Sequence, residues 1–110
     1  MADAKPALTQ EQIQQVTRQV VQRFRPKRVI LFGSHAYGEP RQESDLDLLV
    51  VVPNPPSRRE AWKLAHEITQ PLPLQIVFMS PEEFEETKDV VGGLAYPAHN
   101  WGQVLYAEEP

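Results

Sequence analysis

Residues 32–52 read FGSHAYGEPRQESDLDLLVVV. A glycine–serine pair closes one apolar run, and two aspartates one residue apart open another. Arg28 to Phe32 (RVILF) is β-branched and apolar, and so is the run after Asp47, so the stretch reads as strand, turn and strand. Ser44 to Val52 is apolar on both faces once Asp47 is passed, which places this second strand at the centre of its sheet. Strand side chains alternate, so Asp45 and Asp47 share one face about 6.5–7 Å apart along the backbone, while Leu46 points to the core. Two like charges side by side repel, and burial makes each more costly unless a cation meets them.

The rest of the chain supplies the covering layers. Thr9 and Gln12 have capping-box spacing, and Ile13, Val16, Val20, Val21 and Phe24 then recur at helical spacing, giving an amphipathic helix over about 10–24. Arg25-Pro26 ends it. Residues 34–37 have room for one or two helical turns before Gly38. Ser57 with Glu60 opens a further helix, with Ala61, Leu64, Ala65 and Ile68 on one face. Leu74 to Met79 (LQIVFM) is a third strand. Ser80-Pro81-Glu82-Glu83 is a cap, a proline at the first position and an early glutamate, so a short helix runs from there to about Val90. Gly92, Gly93 and Pro97 read as loop, and Gln103 to Ala107 (QVLYA) as a last strand. The sequence therefore predicts an α/β (α+β) domain: a small mixed sheet of about four strands flanked by helices. Residues 1–8 read as a loose leader and residues 9–110 as the domain.

Composition narrows the function. At 110 residues the chain fits one domain, and 41% hydrophobic content is enough for a modest core. The formal net charge of −4 disfavours a general nucleic-acid-binding surface. There are no cysteines, which excludes disulfides and thiolate metal sites and fits a cytoplasmic setting. No charged-then-apolar leader and no run of membrane-spanning length occurs.

Gly33 lets the first strand turn sharply and lets backbone approach a ligand closely. Ser34 adds a hydroxyl where a short helix would begin, a favourable place for phosphate. A carboxylate pair twelve residues beyond suits magnesium, a hard cation that accepts carboxylate oxygens and keeps positions open for phosphate oxygens. Together the elements read as a metal–triphosphate site. The plain alternative is a pair of aspartates in water at a strand end, with Ser44 capping a turn.

The order Gly33-Ser34, Gly38, Ser44-Asp45-Leu46-Asp47 resembles the signature of the DNA polymerase beta-type nucleotidyltransferase superfamily, and within it the minimal nucleotidyltransferases. The resemblance implies the nucleotidyltransferase fold and transfer of a nucleoside monophosphate from ATP to an acceptor hydroxyl with two magnesium ions. By the same resemblance Gly33, Ser34 and Ser44 bind the triphosphate, and Asp45 and Asp47 are the catalytic metal ligands. It also implies a partner: minimal members serve as antitoxins of small helical HEPN-domain toxins, and adenylylation of a toxin tyrosine is one mode of neutralisation.

One position departs from the family pattern. The third family carboxylate falls on Gln75, in Pro73-Leu74-Gln75-Ile76-Val77-Phe78, and residues 68–81 contain no acidic residue to replace it. Glutamine is neutral, a poor general base and a weaker metal ligand than aspartate. Either Gln75 still faces the nucleotide, or it marks an impaired site on a binding module that neutralises its partner by complex formation. A small-molecule nucleotidyltransferase of the aminoglycoside-modifying kind is a third reading, weakened by the short chain.

Other chemistry-bearing residues read as structural. His35, His66 and His99 lack metal spacing. Trp62 reads as core or partner surface, and Tyr96 with Trp101 as packing of a C-terminal loop. Arg23, Arg25, Lys27 and Arg28 read as a solvated basic face that an acidic partner or RNA would suit.

Overall fold

The structure, a computed structural model, describes residues 10–33, 46–67, 74–93 and 95–108. The elements are α1 (Gln10–Phe24), β1 (Arg28–Phe32), β2 (Leu46–Val51), α2 (Arg58–Glu67), β3 (Leu74–Met79), α3 (Pro81–Thr87), α4 (Ala95–Trp101) and β4 (Gln103–Ala107). The four strands form one mixed sheet in the order β3-β2-β1-β4. β1 runs antiparallel to both β2 and β4, whereas β2 and β3 are parallel. A parallel pair needs a crossover longer than a hairpin turn, and α2 supplies it.

The expectation that β2 is central holds: it pairs on both edges, and Leu46, Leu48, Leu49 and Val50 are fully buried. Alternation divides its side chains between two cores. Leu46, Leu48, Val50 and Val52 meet Ile13, Val16 and Val20 of α1. Leu49 and Val51 join Ile30, Phe32 and Met79 against Phe84 of α3 and Ala95 and Ala98 of α4. Burying each large aliphatic side chain contributes about 1.5–3 kcal/mol, so this double burial makes β2 the strand the fold depends on most.

Local chemistry sets the element ends. The two described caps form as the sequence predicts. Ser57 Oγ accepts from the Glu60 N–H at 3.1 Å while Glu60 Oε1 accepts from the Ser57 N–H at 3.2 Å. Ser80 Oγ accepts from the Glu83 N–H at 3.0 Å, with Pro81 starting α3. Arg25, ahead of Pro26, takes a left-handed φ of 48° and donates its N–H to Val21 O at 2.9 Å, closing α1.

Two boundaries differ from the sequence expectation. α3 stops at Thr87 rather than near Val90, because consecutive turns follow, Val90 N–H to Thr87 O and Gly93 N–H to Val90 O, with Gly92 at φ +96°. Residues 95–101 form α4 rather than loop. Pro97 is the third residue of that helix, where its missing N–H has no acceptor within the helix to lose. The leader, Thr9 and the turns expected at 34–37 lie outside the described residues. No described helix is long and apolar enough to cross a membrane.

Candidate nucleotide site

β1 ends at Phe32, the Cα partner of Asp47 on β2. Gly33 follows with φ +81°, a conformation that a side-chain-bearing residue rarely adopts. The turn it makes is filled from the neighbouring strand. A Cβ on Gly33 would collide with Asp47 Oδ2 and would lie only 3.1 Å from Asp47 Cγ. The carboxylate therefore packs directly over the glycine backbone, half-buried at the mouth of the central strand. Glycine is needed there twice, for its φ and for its missing side chain.

On the other side of Asp47 stands Gln75. The two are Cα partners on parallel strands, so their backbones lie about 4.8 Å apart and their side chains share a face. Gln75 is solvent-exposed on the edge strand β3, and an exposed amide remains accessible to a ligand. Three sequence-selected positions, Gly33, Asp47 and Gln75, thus converge at one end of the sheet. Ser34, Ser44 and Asp45 lie outside the described residues.

The donor set suits a hard cation in part. Asp47 offers carboxylate oxygens and Gln75 a neutral amide oxygen, both of the class magnesium accepts. Among the described residues no group of three His, Asp or Glu side chains gathers into a metal-binding cluster.

The other candidates resolve into structural roles. The basic cluster disperses: Arg23 pairs with Glu67 at 2.8 Å, Lys27 with Glu108 at 3.1 Å, and the Arg28 guanidinium sits 5.7 Å from the centre of the Phe84 ring. His99 meets Phe84 edge-on at 6.0 Å, and His66 lies against Trp62 at 4.0 Å. Trp62 is surface rather than core, 66% exposed. Tyr96 and Trp101 pack edge-on at 5.6 Å as expected, but on a helix. The glycine–aspartate packing was beyond sequence reasoning. Its one sequence signal is a glycine placed immediately after a buried strand.

The family model described as a nucleotidyltransferase domain matches residues 13–95. No curated protein matches the chain. Among solved structures, the chain resembles a toxin–antitoxin complex with AMP-PNP at 19% identity and a TM-score of 0.60, covering 87% of this chain and 74% of that one. A mutant of the toxin–antitoxin MntA-HpeT gives 20% identity and a TM-score of 0.63, covering 93% and 75%. Spectinomycin adenyltransferase AAD(9) from Enterococcus faecialis, with ATP and spectinomycin, gives 17% and 0.64; the chain is covered to 94% and spans 58% of that protein's length. At these identities the likeness is one of fold.

Proposed function

This chain belongs to the nucleotidyltransferase domain family, and from that premise we propose that it binds ATP with magnesium and transfers the nucleoside monophosphate to a hydroxyl of a protein partner. The observation that carries the reading is the Asp47 carboxylate held against Gly33, with Gln75 abreast of it. The family match and a sheet whose central strand opens beside that carboxylate support it. So do the ligands of the fold neighbours, AMP-PNP in one and ATP in another.

In the reaction, the acceptor hydroxyl gives its proton to solvent water as its oxygen bonds to the α-phosphorus, the bond from that phosphorus to the α–β bridging oxygen breaks, and pyrophosphate leaves. Gly33 brings backbone close to the phosphates, with Ser34 and Ser44 as hydroxyl donors. Asp45 and Asp47 would hold the magnesium, which when bound neutralises phosphate charge and supports the attacking and leaving oxygens. Gln75 reaches the same space with an amide that donates or accepts a hydrogen bond but takes no proton from the acceptor.

The toxin–antitoxin complexes among the fold neighbours support a partner of that kind, and we assign a small helical HEPN-domain toxin as acceptor. Residues 9–110 act as the transferase domain and 1–8 as its leader, in the cytoplasm. The test is incubation of the chain with ATP labelled at the α-phosphate, magnesium and a HEPN-domain protein. Label should appear on the partner and vanish with Asp47→Asn.

Gln75 favours a second reading, a binding module that neutralises its partner without turnover. An exposed neutral amide stands where the family pattern has a carboxylate, which weakens both metal affinity and proton removal. Full neutralisation by Asp47→Asn with no label transferred by either protein establishes it.

A further inference from the structure

α2 and β3 enclose a groove of about 360 Å³. Ala61, Ala65 and Ile76 form part of its floor, and Arg58, Trp62 and His66 stand along one helical stripe, four residues apart. The Trp62–His66 pair is held in place, with His66 Nδ1 3.0 Å from Trp62 O. Arg59 and Lys63 form the adjacent exposed stripe. The acidic residues of α2 are already engaged, Glu60 with the Ser57 cap and Glu67 with Arg23. Among the described residues Arg58, Arg59 and Lys63 form no ion pair, so an acidic protein carries here a cationic rim around an apolar floor.

The same chain carries the converse surface. Glu82 and Glu86 lie one turn apart on the exposed side of α3, and Asp89 follows. The one lysine of that segment, Lys88, pairs with Glu85 at 2.8 Å. Beyond them Val90 and Val91 project into solvent, 51% and 79% exposed. An apolar tip with acidic flanks is the complement of an apolar floor with a cationic rim, in charge and in hydrophobicity alike.

We propose that the chain associates with a second copy of itself, the 82–91 segment of one copy seating in the Trp62 groove of the other. An exposed tryptophan beside an arginine is the composition of an interface anchor, and the apolar floor suits a valine rather than a phosphate. Gln75 also lines the groove, so the second copy reaches the edge of the nucleotide site without using Asp47 or Gly33.

Sedimentation velocity of the full chain over a concentration series, at low and high salt, tests this. Wild type should gain mass with concentration, less so at high salt because the rim charges are screened. Arg58→Glu with Lys63→Glu should weaken association at least about tenfold, and so should Val91→Asp. Adding Glu82→Lys and Glu86→Lys to the charge-reversed chain should restore it, which a merely misfolded variant would not show. Asp47→Asn should associate as wild type does, so failure at the nucleotide site is distinguishable from failure here. A wild type that stays monomeric, association indifferent to these changes, or a rim that captures a single-stranded oligonucleotide in place of a second copy overturns the proposal.

Discussion

The carboxylate of Asp47 occupies the space that a side chain on Gly33 would need. Glycine and aspartate therefore act as one unit, and replacing either disturbs the other. Gly33→Ala should cost about 1–2 kcal/mol from its left-handed φ alone, before the displaced carboxylate is counted. Chemical denaturation measures the first part. ATP affinity measures the second, and it should fall even under conditions where the variant remains folded.

Gln75 stands abreast of Asp47 and faces solvent. Gln75→Asp should therefore raise magnesium-dependent transfer, by supplying the missing base and ligand. Without magnesium the same change places two carboxylates together, so each favours its protonated form. A raised folded-state pKa means that stability is lost as pH rises through the carboxylate range, and magnesium should recover it. Thermal melts at acidic and neutral pH, with and without the metal, read this directly.

Gly102 joins α4 to β4 where three neighbours converge. A Cβ there would collide with Ala98 O and lie 2.7 Å from Ile30 Cγ2 and 2.9 Å from Leu31 O. Two of these are backbone atoms, which cannot yield as a flexible side chain does. Gly102→Ala should destabilise by about 2–3 kcal/mol by overpacking, measured by urea denaturation. Amide exchange should rise first along β4 and its partners on β1.

The half-buried Lys88 holds the exposed Glu85 below its ordinary carboxylate pKa, first by a direct hydrogen bond and then by charge. A depressed pKa stabilises the fold above the unfolded value, and that contribution is lost as pH falls through the folded one. Lys88→Gln should return Glu85 toward the ordinary glutamate value in an NMR titration. Because the pair is open to water, its effect on unfolding should be small.

The legible parts of the fold were those with a strong local pattern. β1, β3 and β4 and the first helix end where their apolar runs and prolines place them, since burial and backbone restriction act in the same direction there. α4 was hidden because Pro97 reads as a breaker, and only its position in the first turn makes it compatible with helix. The end of α3 was hidden because Glu85 to Val90 has no breaker, and the glycine turn beyond draws the chain out of helix earlier. At the site, spacing along one strand placed Asp47 on a face. The contact with Gly33 and the alignment with Gln75 depend on strand register, which tertiary packing sets.

Whether Asp47 takes part in nucleotide binding is read by calorimetric titration of the purified chain with ATP and magnesium, beside Asp47→Asn. Wild type should bind ATP in a magnesium-dependent way that the variant loses by at least about tenfold, a difference of about 1.4 kcal/mol, while the variant's melting curve stays that of a folded protein. Equal affinity in the two proteins, or no ATP binding by wild type, would contradict that role.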